Sequence, residues 1–130
     1  MKKILIAEDD FFIRDIYNKV FVLAGYDVRV AEDGLSALDK IKTDAFDIIL
    51  LDLMMPRLTG IDVLRQMRAL STPAKDTPVF IITNLGQQNM IEAAFKLGMD
   101  GYIIKSQVTP QQIVKEIDTF FENKEASSQM

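Results

Sequence analysis

The chain has 130 residues, 48% of them hydrophobic and 26% charged, with a formal net charge of −4. That is the size and composition of one domain with a core large enough to stand without staples. It contains no Cys and no His, which excludes a disulfide framework, thiolate or imidazole metal sites and Ser-His-Asp catalysis.

Any metal must therefore be held by oxygen, which points to Mg²⁺, Ca²⁺ or Mn²⁺. The negative charge argues against direct nucleic-acid contact, which needs a basic face. The opening "MKKILIA" has the start of a signal peptide, but its apolar run stops at Glu8. That is too short for a signal sequence, and no run approaches transmembrane length. A cytoplasmic location without membrane insertion is expected.

Residues 3–7, "KILIA", read as a buried strand. From Phe12 the period changes to helical, with Phe12, Ile13, Ile16, Tyr17, Val20, Leu23 and Ala24 taken as the core face and Gly25 as the stop. "YDVRVA" (26–31) alternates as a strand does. "DGLSALDKIK" (33–42) reads as a short helix with Leu35, Leu38 and Ile41 inward. "FDIILLD" (46–52) is a second apolar run ending on an acid. The loop "MPRLTG" leads to a helix over 61–70, and "STPAKDTP" (71–78) is a loop by composition.

"VFIIT" (79–83) is a third buried strand. A helix over 87–97 follows, with Met90, Ile91, Ala94, Phe95 and Leu97 apolar and Gly98 closing it. "GYIIK" (101–105) is the last strand. Thr109-Pro110-Gln111-Gln112 has the form of a capping box with Pro at the first helical position. The helix it opens runs to about Asn123, burying Ile113, Ile117, Phe120 and Phe121, and residues 124–130 are expected to be a disordered tail. The pattern is α/β, (βα)5, a doubly wound parallel sheet.

In such sheets ligands bind beyond the carboxyl ends of the strands. Glu8 and Asp9 stand at one such end, Asp52 at another, Thr83 and Asn84 at a third and Lys105 at a fourth. Asp10 alone reads as a helix cap. Clustered carboxylates in a partly dry cleft need a compensating cation, and Mg²⁺ suits carboxylates, water and phosphate. Asp52 can then attack phosphorus and form an aspartyl phosphate. Lys105 and the Thr83 hydroxyl would steady the phosphoryl charge.

"ILIAEDD", "DIILLDLMMPRLTGID", "PVFIITN" and "GYIIKS" resemble the signature blocks of response-regulator receiver domains of two-component signalling. The resemblance spans residues 3–123 and implies the flavodoxin-like strand order 2-1-3-4-5. A chemotaxis receiver is a standard example of that order. It implies that Asp52 is the phosphoacceptor, that Asp9 binds Mg²⁺ directly and Glu8 through water, and that the Met54 carbonyl is a further ligand, with Mn²⁺ a possible substitute. It implies that Thr83 and Lys105 contact the phosphoryl group and that Thr83 and Tyr102 form a switch. The partners implied are a histidine kinase or histidine phosphotransfer protein, docking on the first helix, and an unknown output protein reading the helix 4, strand 5 and helix 5 surface. Phe11 and Val22, opposite the expected core stripe, are candidates for that docking.

Two departures from the family pattern stand out. Ser106 follows Lys105 where Pro is usual, and Asn84 follows Thr83 where Ala or Ser is usual. Met54 and Leu85, both apolar, flank the expected path of an attacking water, which predicts slow self-dephosphorylation. Residues 1–123 are expected to be the receiver, acting as a stand-alone module, monomeric or dimerising on phosphorylation, or as a domain of a longer protein. The role is regulatory rather than enzymatic. An Mg²⁺-dependent phosphohydrolase would need a second acid or a substrate cap. A pseudo-receiver would lack one of the acids, Thr83 or Lys105, and a flavin-binding protein would need a phosphate-cradling loop where Glu8 and Asp9 stand.

Overall fold

A computed structural model describes residues 1–84 and 87–128. Five strands, β1 (Lys3–Ala7), β2 (Asp27–Ala31), β3 (Ile48–Asp52), β4 (Val79–Thr83) and β5 (Gly101–Ile104), alternate with five helices. The helices are α1 (Phe11–Leu23), α2 (Gly34–Thr43), α3 (Gly60–Arg68), α4 (Gln88–Lys96) and α5 (Pro110–Ser128). The strands are all parallel, in the order β2-β1-β3-β4-β5.

The strands read as unbroken apolar runs because both faces of the sheet are covered. Side chains alternate across a strand. Leu5, Ile49, Leu51, Val79 and Ile81 therefore pack with Ile41, Leu64, Met67 and Ala94 of α2, α3 and α4. Ile4, Ile6, Ile48, Leu50, Phe80 and Ile82 face the other way, onto Tyr17 and Phe21 of α1 and Ile113, Ile117 and Phe121 of α5. Gly25 and Gly98 end α1 and α4 in the left-handed region, at φ of 92° and 82°, where a side chain would be strained. The capping box at α5 is reciprocal. The Thr109 N–H donates to Gln112 Oε1 at 2.7 Å, and the Gln112 N–H donates to Thr109 Oγ1 at 3.1 Å.

Three expectations need correction. On α1 the sheet takes Tyr17 and Phe21, with Ile13 and Val20 half-buried beside them. Phe12, Ile16 and Leu23 are exposed at 75%, 47% and 87%. Seven apolar residues span too wide an arc for one helix to bury, and the spacing i, i+4, i+7, i+8 from Ile13 won. In α2, Leu35 is exposed, because Gly34, Ala37, Leu38 and Ile41 form the inward face. The apolar pattern assigns no burial within α4, where Ala94 is the buried residue and Phe95 faces outward.

The last correction concerns the tail. α5 continues to Ser128 instead of ending near Asn123. Glu122 to Glu125 contain good helix formers and no Gly or Pro, and Lys2 reaches this turn, 3.5 Å from Glu125 and over the Phe121 ring. Among the described residues, no helix is long and apolar enough to cross a membrane.

Candidate functional site: the acidic rim at the carboxyl end of the sheet

Glu8 continues the path of β1 by one residue, its N–H donating to the Ala31 carbonyl at 3.0 Å. This draws the Glu8 side chain inside, 1% exposed, while Asp9 stays in solvent. Asp10 turns the chain, and its carboxylate caps α1 by accepting the Ile13 N–H at 3.0 Å. The three consecutive acids are thus separated into an inward, an outward and a capping position, which lowers their mutual repulsion. Arg14, one turn into α1, donates to the Glu8 carbonyl at 2.9 Å and the Asp9 carbonyl at 3.4 Å.

Asp52 ends β3 next to this turn and is also buried, at 3% exposed. Its Oδ1 accepts the Met54 N–H at 3.1 Å, and its Oδ2 accepts from Lys105 Nζ at 3.0 Å. The same Nζ lies 2.8 Å from Glu8 Oε2. That contact is an ion pair out of hydrogen-bond alignment, so Glu8 Oε2 is a buried oxygen without a hydrogen bond. Oxygens of Glu8, Asp9 and Asp52 lie within 4.8 Å of one another. One lysine faces three carboxylates. The residual negative charge and the all-oxygen donor set fit a hard divalent cation.

The electrostatics record the same imbalance. Burial pushes the Glu8 carboxyl up from 4.5 to about 7, against the lowering effect of Lys105. Burial also raises Asp52, again opposed chiefly by Lys105. Burial alone would lower Lys105, but Glu8 and Asp52 together raise it, so it stays charged.

Thr83 closes β4 beside Asp52 and is fully buried. Its hydroxyl is engaged by the Gln87 side-chain carbonyl, with the Asn84 carbonyl 3.2 Å away. Tyr102 lies on β5, two residues before Ile104, the neighbour of Thr83, and is 51% exposed. Lys105 follows β5 and opens a short 3₁₀ turn, Lys105–Gln107, through a trans peptide bond to Ser106. Met54 is half-exposed beside Asp52. Leu85 lies outside the described residues.

Glu8, Asp9, Asp52 and Lys105 therefore meet at the carboxyl end of the sheet, and Thr83 ends the adjacent strand β4. Three supporting residues were not foreseen. A Cβ on Gly60 would sit 2.2 Å from the Asp52 carbonyl oxygen, so only glycine lets α3 start against the end of β3. The "TG" pair signalled a loop but not that close approach. Arg14 carried a weak signal, as a lone base one turn after three acids. Gln87 carried none.

Residues 4–118 match the model of the response regulator receiver domain. The chain belongs to that family. It is 36% identical over 103 residues to the response regulator MprA of Mycobacterium avium, a match covering 79% of this chain and 44% of the relative. The same identity over the same length relates it to MprA of Mycobacterium tuberculosis. The chain thus spans less than half the length of these curated relatives.

Among solved structures, the Francisella response regulator 1452 receiver domain superposes with a TM-score of 0.83 at 33% identity, covering 95% of this chain and 99% of that one. The chemotaxis response regulator CheY4 of Vibrio cholerae gives 0.83 at 29%, covering 92% and 98%. A CheY-like receiver domain protein of Methanospirillum hungatei gives 0.87 at 25%, covering 98% of both chains.

Proposed function

We propose that this receiver domain takes a phosphoryl group onto Asp52 in a reaction that depends on a divalent cation, with Mg²⁺ the natural choice and Mn²⁺ a substitute. The single observation that carries the reading is the buried Asp52 carboxylate, held between Lys105 Nζ at 3.0 Å and the Met54 N–H at 3.1 Å beside two further acids. The carboxylates of Glu8, Asp9 and Asp52 and the Met54 carbonyl would hold the cation, Glu8 through water. When bound, it supplies positive charge to the phosphoryl oxygens and offsets the carboxylates that would otherwise repel them.

In the transfer, an Asp52 oxygen forms a bond to phosphorus as the bond from phosphorus to the donor breaks. For a phosphohistidine donor that is a P–N bond, and the electron pair stays on the imidazole nitrogen. Lys105 steadies the equatorial oxygens as their charge develops. Asp52 needs no proton removed, because its carboxylate form is the nucleophile. Hydrolysis later returns Asp52 and inorganic phosphate. The domain is regulatory, and turnover is limited to this slow self-dephosphorylation.

The donor is a histidine kinase or phosphotransfer protein, in the cytoplasm where such donors are charged from ATP. Its landing surface is the exposed apolar side of α1, with Phe11, Phe12 and Ile16 next to the acidic rim. Output runs through Thr83 and Tyr102 to the α4, β5 and α5 surface, where Phe95 and Tyr102 are exposed. The test is incubation with acetyl phosphate, with and without EDTA, followed by intact mass. Wild type should gain one phosphoryl group only with free cation, and Asp52→Asn should gain none. Equal labelling of Asp52→Asn would overturn the reading.

A further inference from the structure

Thr83 has one hydroxyl proton. Its oxygen is fully buried at the end of β4, with the Gln87 side-chain carbonyl as its nearer acceptor and the Asn84 carbonyl, at 3.2 Å, as the other. The same carbonyl oxygen accepts the Asn84 N–H at 3.3 Å. Gln87 is the residue from which α4 starts, yet its side chain makes no capping bond to that helix. Its amide reaches back to the strand instead. The Gln87 backbone carbonyl, by contrast, accepts from Met90 and Ile91 at 3.0 and 3.1 Å and anchors the first turn of α4.

A phosphoryl group on Asp52 would need the same Thr83 proton, because a hydroxyl donates only once. The two acceptors exclude each other. We infer that Gln87 is a positioning residue, a latch that holds the Thr83 hydroxyl away from the phosphoacceptor until a phosphoryl oxygen takes it. Release of Gln87 then loosens the start of α4 directly, by a route separate from Tyr102. The inference rests on the reading of Asp52 as phosphoacceptor.

Competition predicts the size of the effect. A neutral hydrogen bond of this kind shifts an equilibrium by roughly threefold to tenfold. Removing the Gln87 carbonyl should tighten any phosphoryl mimic by that factor, and only through the Thr83 hydroxyl. The experiment titrates beryllium trifluoride, a tetrahedral phosphoryl mimic, in saturating Mg²⁺, reading amide shifts by NMR. The proteins are wild type, Gln87→Ala, Gln87→Met (similar length, no acceptor) and each of these again in a Thr83→Val background.

With Thr83 present, both Gln87 variants should bind the mimic roughly threefold to tenfold more tightly. In the Thr83→Val background they should match their parent. Mg²⁺ affinity without the mimic, which does not involve Thr83, should be unchanged throughout and serves as the control for folding of the rim. The inference alone is overturned if wild type binds the mimic and the Gln87 variants bind no more tightly. It is also overturned if they gain equally in the Thr83→Val background. Failure of wild type to bind the mimic, together with no acetyl-phosphate labelling of Asp52, overturns the inference and the underlying reading together.

Discussion

Substituting Glu8→Gln should stabilise the cation-free protein at pH 8, although it removes one side of an ion pair. The fold raises the Glu8 carboxyl from 4.5 to about 7. At about 1.4 kcal/mol per tenfold, carrying the charge in the fold above both values costs roughly 3 kcal/mol. The sign follows from proton counts. Between pH 4.5 and about 7 the folded protein holds a proton on Glu8 that the unfolded chain has lost. Stability therefore falls as pH rises through that window and levels off above it.

Gln carries no charge at any of these pH values, and Lys105 keeps Asp52 as partner at 3.0 Å. The attraction to Lys105 is already contained in that value, so the net gain at pH 8 is about 1–3 kcal/mol after solvent screening at the rim. In a domain of this size that raises Tm by roughly 3–10 °C. The assay is thermal unfolding of both proteins in EDTA from pH 5 to pH 8. Asp52, also raised by burial, interacts with Glu8, so the difference between the curves reports the titration of the pair. The difference should shrink towards zero at pH 5. Mg²⁺ should narrow it at pH 8, because the wild type binds the ion better and is stabilised by mass action. A Glu8→Gln protein no more stable than wild type at pH 8 in EDTA, or a gap that persists at pH 5, would refute the electrostatic argument.

Three further outcomes are expected. Arg68 ties α3 to the strand 4 entry and to the end of α4 by donating to the carbonyls of Leu97, Lys75, Thr77 and Gly98 at 2.7–3.2 Å. Arg68→Lys keeps the charge but loses the fork, so urea unfolding should show a loss of about 2–4 kcal/mol, and a loss under ~0.5 kcal/mol would contradict the clamp. Phe12→Ser with Ile16→Ser alters exposed positions, so stability and acetyl-phosphate labelling should hold while the transfer rate from a phosphohistidine protein falls more than tenfold, on the order of two kcal/mol of docking energy; unchanged transfer would move the docking surface elsewhere. Met54→Asn with Leu85→Glu should lose phosphate faster than wild type at equal Mg²⁺, since polar groups there can orient water, and an unchanged half-life would release both side chains from that role.

The strands and the rim were legible because their signal is local. An apolar run ending on Asp52 or Thr83 states both the burial of the strand and the chemistry at its end. The capping box at Thr109 was legible for the same reason, being complete within four residues. The core face of α1 was not. Phe12, Ile16 and Leu23 are as apolar as Ile13 and Phe21, and only contact with the sheet chooses between the two stripes. The last turns of α5 were obscured by polarity, which describes solvent exposure and not helix content. Gly60 and Gln87 act through contacts with Asp52 and Thr83 across a chain reversal, and nothing in their own neighbourhoods announces it.

The site of phosphorylation can be read chemically. Borohydride reduces an acyl phosphate to the alcohol and leaves free carboxylates untouched, so the phosphorylated aspartate becomes homoserine in the chain. The protein is incubated with acetyl phosphate and Mg²⁺, reduced, digested and sequenced by tandem mass spectrometry. Homoserine should appear at position 52 and nowhere else, and should vanish when EDTA replaces Mg²⁺. A reduced side chain at Glu8, Asp9 or Asp10 in its place, or none at position 52 in protein that has gained phosphoryl mass, would contradict Asp52 as the phosphoacceptor.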